Sequence, residues 1–325
     1  MRHQHPLRPA RIDRSSRDVR SQHFLRDPVL VARLVDELPL PPGSLVVEPG
    51  AGRGIITRAL ADRGFRVIAV EKDVRLFRAL RSRFIGRTNV EIHHADILDF
   101  SLPREPYTVV SNVPFAISAQ LIRKLLAASP PPEAALLVLQ REAAAKFAGA
   151  PQESLFSLLQ KPLFAMSVAH HFARDDFSPP PPVDAVLLRI SRRDAPLVAH
   201  ASHDAYRRFI IACWRSGAPD VRHALRPYVT GRQLLRLARD LGFSPRQRPS
   251  ELTFQQWAGL FRFYELSCMG RRCAKHIVRY TRTGEWRMET GSRTSDCYVN
   301  EAIRAEVTSE FIVLVDEMIG ALAAR

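Results

Sequence analysis

The chain has 325 residues and 46% hydrophobic content, enough for a packed core and about two domains by length. It has no uninterrupted apolar stretch of about 18 residues, and its arginine-studded start lacks the apolar core of a signal peptide, so a cytoplasmic protein with no membrane partner is expected. A formal net charge of +15, carried almost entirely by arginine, implies a polyanionic partner and disfavours acidic or neutral binding surfaces.

In chain order, a basic arm over residues 1–26 carries Arg2, Arg8, Arg11, Arg14, Arg17 and Arg20. Asp27-Pro28 reads as a helix start, with Leu30, Val31, Leu34, Val35 and Leu38 at helical spacing. An apolar run at 44–48 predicts a buried strand. It is followed by Glu48-Pro49-Gly50-Ala51-Gly52-Arg53-Gly54 and then by Ile55, Ile56, Ala59 and Leu60 on a helix. Strands follow at 66–71, 90–96, 107–112 and 134–139, with helices at 74–84, 117–126 and 141–147. Segments 165–172 and 185–190 read as a closing pair of strands with no helix between them. Repeated β-α units of this kind impose parallel pairing with right-handed crossovers, so the expected fold is α/β and Rossmann-like over residues 27–191.

Beyond a predicted linker at 192–196, Tyr206, Phe209, Ile210, Cys213 and Trp214 repeat at helical spacing, as do Leu234, Leu235, Ala238 and Leu241. A third helix opens at Thr253 with Gln256 completing a capping box, and turns Phe254, Trp257, Phe261 and Tyr264 inward. These segments predict a small all-helical domain at 197–266. Its arginines, among them Arg207, Arg208, Arg215, Arg222, Arg226, Arg232, Arg236, Arg239, Arg246 and Arg248, suit a phosphate backbone. Residues 267–325 form a tail to which no task is assigned. The four cysteines show no C-x-x-C pair, and no metal site is expected.

Three groups of residues carry chemistry. Gly50, Gly52 and Gly54 fall as G-x-G-x-G after an acidic residue, the spacing of an S-adenosylmethionine loop rather than a dinucleotide loop. The alternative is a glycine turn that only lets a helix pack on a strand. Glu71, about twenty residues on at a strand end, stands where an acid takes ribose hydroxyls. Asp96 is expected at the end of the third strand, either accepting from an adenine amine or capping a turn. Ser111-Asn112-Val113-Pro114-Phe115 places an amide, a backbone carbonyl and a ring at a strand's C-terminal end. It could hold an exocyclic amine by two hydrogen bonds while Phe115 stacks on the base, or it could be a simple Asn-Pro turn.

Taken together, Ser21 to Leu25, Val47 to Gly54, Val70 to Asp73, His94 to Leu98, Asn112 to Phe115 and Phe177 to Asp184 resemble the ribosomal RNA adenine N6-dimethyltransferase family. That family spans small-subunit dimethyladenosine transferases and the Erm macrolide-resistance methyltransferases. The resemblance implies S-adenosyl-L-methionine as cofactor. Gln22, His23 and Leu25 would close over its methionine end, with Gly50 and Gly52 approaching the same moiety, Glu71 on the ribose and Asp96 on the adenine. His23 departs from the usual asparagine. Asn112, Val113 and Phe115 would form the catalytic site, Asn112 also bordering the cofactor, and Phe177 would either cover the base or sit in the core.

Adenine N6 is a weak nucleophile because its lone pair is delocalised into the ring, and two acceptors on its hydrogens would localise that pair. The target adenine must lie in a loop or bulge, or be flipped out. The segment Leu252 to Phe261 and the opening Ser21-Gln22 look more like the Erm branch. The expected function is therefore methylation of an adenine in 23S rRNA, before or during ribosome assembly, by a monomer. The expected consequence is resistance to macrolide, lincosamide and streptogramin B antibiotics. The alternatives are a 16S rRNA dimethyltransferase of small-subunit maturation and a noncatalytic RNA-binding factor.

Overall fold

The computed structural model describes residues 23–273, 278–280 and 286–288. Gln22, the arginines of the basic arm from Arg2 to Arg20 and most of the predicted tail lie outside the described residues. Contacts divide the chain into two compact units, Met1–Glu265 and Leu266–Arg325.

The first unit begins with the two-residue strand β1 (Phe24–Leu25) and helix α1 (Pro28–Asp36), whose N-cap Asp27 accepts from the Val29 N–H. Then come β2 (Leu45–Pro49), α2 (Ile55–Asp62), β3 (Arg66–Glu71), α3 (Val74–Arg83), β4 (Val90–His94), β5 (Thr108–Asn112), α4 (Ser118–Leu126), β6 (Ala134–Gln140), α5 (Arg141–Ala148), α6 (Leu155–Gln160), β7 (Phe164–His171), β8 (Phe177–Ser178) and β9 (Ala185–Arg192). Seven strands form one sheet in the order β4-β3-β2-β5-β6-β9-β7. The pairs from β4 to β6 are parallel, as βα crossovers require, and β9 pairs antiparallel with both β6 and β7. The closing pair predicted without a helix between its strands is this antiparallel edge.

Side chains of successive strand residues alternate between two cores. Val46, Val110, Leu136 and Leu187 join α1, α2, Leu80 and Phe84 on one face. Val47, Val109, Leu137 and Leu188 join Leu121, Ile122, Leu125 and Phe147 on the other. The order of strands reverses between β2 and β5, which lie side by side with Val46 opposite Thr108. Open α/β sheets receive ligands beyond the carboxyl ends of their strands at such a switch point. Here the glycine loop after β2 and the tetrad Asn112-Val113-Pro114-Phe115 at the end of β5 become neighbours.

The rest of the unit is helical: α7 (His203–Arg215), α8 (Val221–Leu225), α9 (Gly231–Leu241) and, up to Glu265, the first part of α10 (Phe254–Cys273). Tyr206, Phe209, Ile210, Trp257 and Phe261 form a third core that also takes Leu158 from α6. The predicted linker is tied down rather than free, because Arg193 donates its backbone N–H to the Leu163 carbonyl and its Nε to the Lys161 carbonyl, both at 2.9 Å. Buried Glu153 accepts from the Ser157 hydroxyl at 2.7 Å and from the Phe254 N–H at 3.1 Å, and pairs with Lys161. One carboxylate thus fastens the start of α10 to the loop before α6. In the second unit, β10 (Val278–Tyr280) and β11 (Trp286–Met288) pair antiparallel. Among the described residues, no helix is long and apolar enough to cross a membrane.

Candidate active site

A cavity of about 780 Å³ opens at the switch point, lined by nine predicted residues, His23, Leu25, Gly50, Gly52, Glu71, Asp96, Asn112, Val113 and Phe115, but not by Gly54 or Phe177. The volume falls within the usual range of small-molecule sites. Local bonds hold its walls. Ser111, fully buried, donates its hydroxyl to the Pro49 carbonyl at 2.6 Å, clamping the end of β5 to the end of β2. The N-terminal segment is held from the opposite side by β8, with Leu25 opposite Phe177 and Phe24 opposite Ser178.

The tetrad is built on that clamp. The Val113 N–H continues the sheet to the Val138 carbonyl at 3.3 Å, and Pro114, at φ −55° and ψ 122°, turns the chain into a short 3-10 segment beginning at Phe115. The Asn112 amide nitrogen donates to the His23 carbonyl at 2.6 Å, so the other polar atom of the amide, its oxygen, is the one left for a ligand. The His23 ring is 5.9 Å from that of Phe115, and its Nδ1 bonds the Pro179 carbonyl at 2.9 Å. Histidine in place of the expected asparagine thus fastens the N-terminal segment to the proline-rich loop.

The three glycines of the loop divide by role. Gly52 has φ +58°, and a Cβ there would lie 2.8 Å from the Phe24 ring. Gly54, at φ +77°, would drive a Cβ to 2.7 Å from Leu80 and 2.9 Å from Phe84, so it serves the packing of α2 on α3. Gly50 abuts Pro114, a Cβ meeting its ring at 3.4 Å, and so joins loop to tetrad. The loop's amides also turn inward: those of Gly50 and Ala51 reach the Val70 carbonyl, and that of Gly54 the Ala51 carbonyl. The N–H of Gly52 reaches Glu71 at 2.8 Å.

Glu71 closes β3 in a buried position and takes the Gly52 N–H on one oxygen and the Asp73 N–H on the other, each at 2.8 Å. A carboxylate has about four lone-pair sites, so both oxygens keep capacity toward the cavity. The third strand ends at His94, two residues short of Asp96, which bends away instead of continuing the ladder. Asp96 caps a turn through the Leu98 N–H and pairs with Lys72, both at 2.9 Å. Of the two readings of Asp96, the turn cap is the one its bonds show, and the side chain also lines the cavity. Partial burial works to raise its pKa, but the Leu98 N–H and Lys72 outweigh this and hold the carboxyl below its usual range. Phe177 is 1% exposed and packs edge-on against Phe172, which decides for the core and against the base-covering alternative.

Glu48, read in the sequence only as the acid before the glycine loop, also lines the cavity. It is 1% exposed, accepts the Thr57 hydroxyl at 2.5 Å, and is pushed up to about 8 by burial, with Thr57 opposing and Glu71 adding to the shift. The signal was present: a lone acid inside an otherwise apolar strand.

Comparisons with known proteins agree with this geometry. Residues 14–265 match the family model for ribosomal RNA adenine dimethylase. An rRNA adenine N-6-methyltransferase of Bacillus licheniformis is 30% identical over 79% of this chain and 90% of its own. The ribosomal RNA small subunit methyltransferase A of Geobacter metallireducens is 28% identical over 76% of this chain and 94% of its own. Among solved structures, the 23S rRNA methyltransferase ErmE superposes with a TM-score of 0.70 at 30% identity, covering 74% of this chain and 99% of that one. A dimethyladenosine transferase from Plasmodium falciparum, at 19% identity and a TM-score of 0.61, shares the fold. The chain belongs to the ribosomal RNA adenine dimethylase family and is an rRNA adenine methyltransferase.

Proposed function

We propose that the protein methylates N6 of an unpaired adenine in 23S rRNA, using S-adenosyl-L-methionine, and thereby protects the ribosome from macrolide, lincosamide and streptogramin B antibiotics. The observation that carries the chemistry is the Asn112 amide, fixed by its 2.6 Å bond to the His23 carbonyl so that its oxygen serves as acceptor. That oxygen and the Val113 carbonyl take the two amino hydrogens of the adenine, which concentrates the nitrogen lone pair for in-line attack. Phe115 stacks on the base.

The cavity's donor set fits the cofactor. Glu71 and Asp96 keep acceptor capacity for ribose hydroxyls and an adenine amine, and Gly50, Gly52, His23 and Leu25 surround the remaining end, with Gln22 as the family resemblance has it. When bound, the cofactor supplies an electrophilic methyl on a sulfonium centre. The protein's part is to orient the adenine nitrogen and to keep water out.

The large-subunit reading is supported by the overlay on ErmE and by the Mycinamicin-resistance protein MyrB of Micromonospora griseorubida, 31% identical over 75% of this chain and 77% of its own. The Geobacter relative favours a second reading, methylation of 16S rRNA. Tritiated methyl transfer to isolated 23S and 16S rRNA separates them. Label on a 23S adenine, with a raised macrolide tolerance of cells expressing the protein, is expected. Label on 16S alone overturns the subunit assignment.

A further inference from the structure

The sequence reading places the polyanion-binding charge in the basic arm and the helical region. The structure shows a third concentration on the cofactor side of the cavity. Between Arg53 and Arg87 the chain carries ten arginines and lysines against three acids, Asp62, Glu71 and Asp73. Those acids are committed. Asp62 pairs with Arg58 and Arg87, Glu71 is buried under the glycine loop, and Asp73 caps α3 and pairs with Arg75.

Helix α3 shows how the surplus is organised. Leu80 is buried and Phe84, just past the helix, packs beside it, so the solvent side is left to Arg75, Arg78, Arg81 and Arg83. Arg75 lines the mouth of the cavity. At the other end Arg83 donates to the Arg53 carbonyl, which ties the helix to the glycine loop. Among the described residues, Arg53, Arg78, Arg81 and Arg83 form no ion pair. Arg53 lies 4.6 Å from the centre of the Phe24 ring and Arg81 5.8 Å from that of Phe77, so two of these guanidinium groups rest on aromatic faces. A solvated helix face commonly interleaves both signs of charge, which limits self-repulsion. This one does not, and Arg78, Arg81 and Arg83, at about 1.5 Å of rise per residue, run over about 7.5 Å, enough to meet about two phosphates of one strand.

We propose that the outer face of α3, with Arg53, is an RNA-contact surface that grips the backbone of a strand flanking the target adenine, on the side of the cavity away from the tetrad. The proposal rests on the rRNA methyltransferase reading and adds where the substrate is held. Phosphate contacts set register and affinity without reading sequence, so these arginines govern how tightly rRNA binds and leave the reaction at the adenine untouched.

The test uses the double variant Arg78→Ala/Arg81→Ala, with Arg78→Lys/Arg81→Lys as the charge-preserving control, in the full-length protein. Dissociation constants are measured across a salt series on whichever rRNA the wild type methylates, alongside kcat, KM for rRNA and cofactor affinity. The alanine pair is expected to weaken rRNA binding about tenfold and to lower the salt slope by about 1.5. KM for rRNA should rise in step, while kcat at saturating RNA and cofactor affinity stay within about twofold. The lysine pair should stay within about threefold of wild type. Wild-type affinity and salt slope in the alanine pair would overturn the proposal. A wild type that labels 16S rather than 23S rRNA overturns the subunit assignment alone, because binding is then measured on 16S rRNA.

Discussion

The two halves of the cavity differ in how their polar groups are spent. On the glycine-loop side, Glu71 and Asp96 are already bonded to Gly52, Asp73, Leu98 and Lys72. On the tetrad side, Asn112 spends its nitrogen on His23 and keeps its oxygen. The first half is preorganised by self-satisfaction, so a ligand adds bonds to carboxylates that are already fixed in place. The second half is preorganised by aiming one acceptor that no described residue consumes, the arrangement which, in the proposed reaction, favours a transition state over a ground state.

The separation can be broken most sharply at Asn112. Asn112→Ala is expected to reduce methyl transfer at least a hundredfold, the scale of losing one preorganised polar group at a reacting centre, while cofactor affinity by calorimetry stays within about threefold. A parallel fall in cofactor affinity would show that the halves are one. Gly52→Ala probes the other half. Its φ of +58° and the 2.8 Å approach to Phe24 predict a loss of about 1–2 kcal/mol of stability with roughly tenfold weaker cofactor binding. Wild-type cofactor affinity in that variant would dissociate the loop from the ligand.

The smallest effect on activity is expected at Glu48, where pH is the instrument. Burial raises its folded-state pKa from 4.5 to about 8. A raised pKa contributes stability that is complete below pH 4.5 and declines as pH rises through 8. Wild-type Tm should therefore slope downward over that interval, and Glu48→Gln should flatten the slope. Parallel curves for the two proteins would contradict the assignment.

The sheet was largely legible, because the runs at 45–49, 66–71, 108–112 and 134–140 are apolar and nearly all enclosed. Helices α6 and α8, of six and five residues, are too short to show a period and escaped the reading. Much of the cavity's lining was legible too, since the glycine loop, Glu71 and Asn112 stand at the ends of β2, β3 and β5 on one edge of the sheet. What could not be read were long-range bonds between backbone and side chain. Asn112 finds the His23 carbonyl across 89 residues, and His23 finds Pro179 across 156. The role of Gly54 was hidden for the same reason, as the atoms that forbid its Cβ belong to Leu80 and Phe84. Charge counted along the chain likewise pointed to the arm and the helical region. Only the folded helix shows which arginines of α3 have their acids already taken.

The Glu153 node bears on how such enzymes can be recombined. Its carboxylate, Lys161, the Ser157 hydroxyl and the Phe254 N–H form one polar cluster, and a Cβ on Gly149 would fall 2.2 Å from that carboxylate. A chimaera that exchanged the helical region at the apparent seam near residue 197 would divorce the Phe254 N–H from its acceptor and Leu158 from the helical core, while Ser157 and Lys161 stayed with Glu153. The portable module starts upstream, at Gly149, so the crossover point that preserves the cluster lies inside the sheet-bearing half of the sequence.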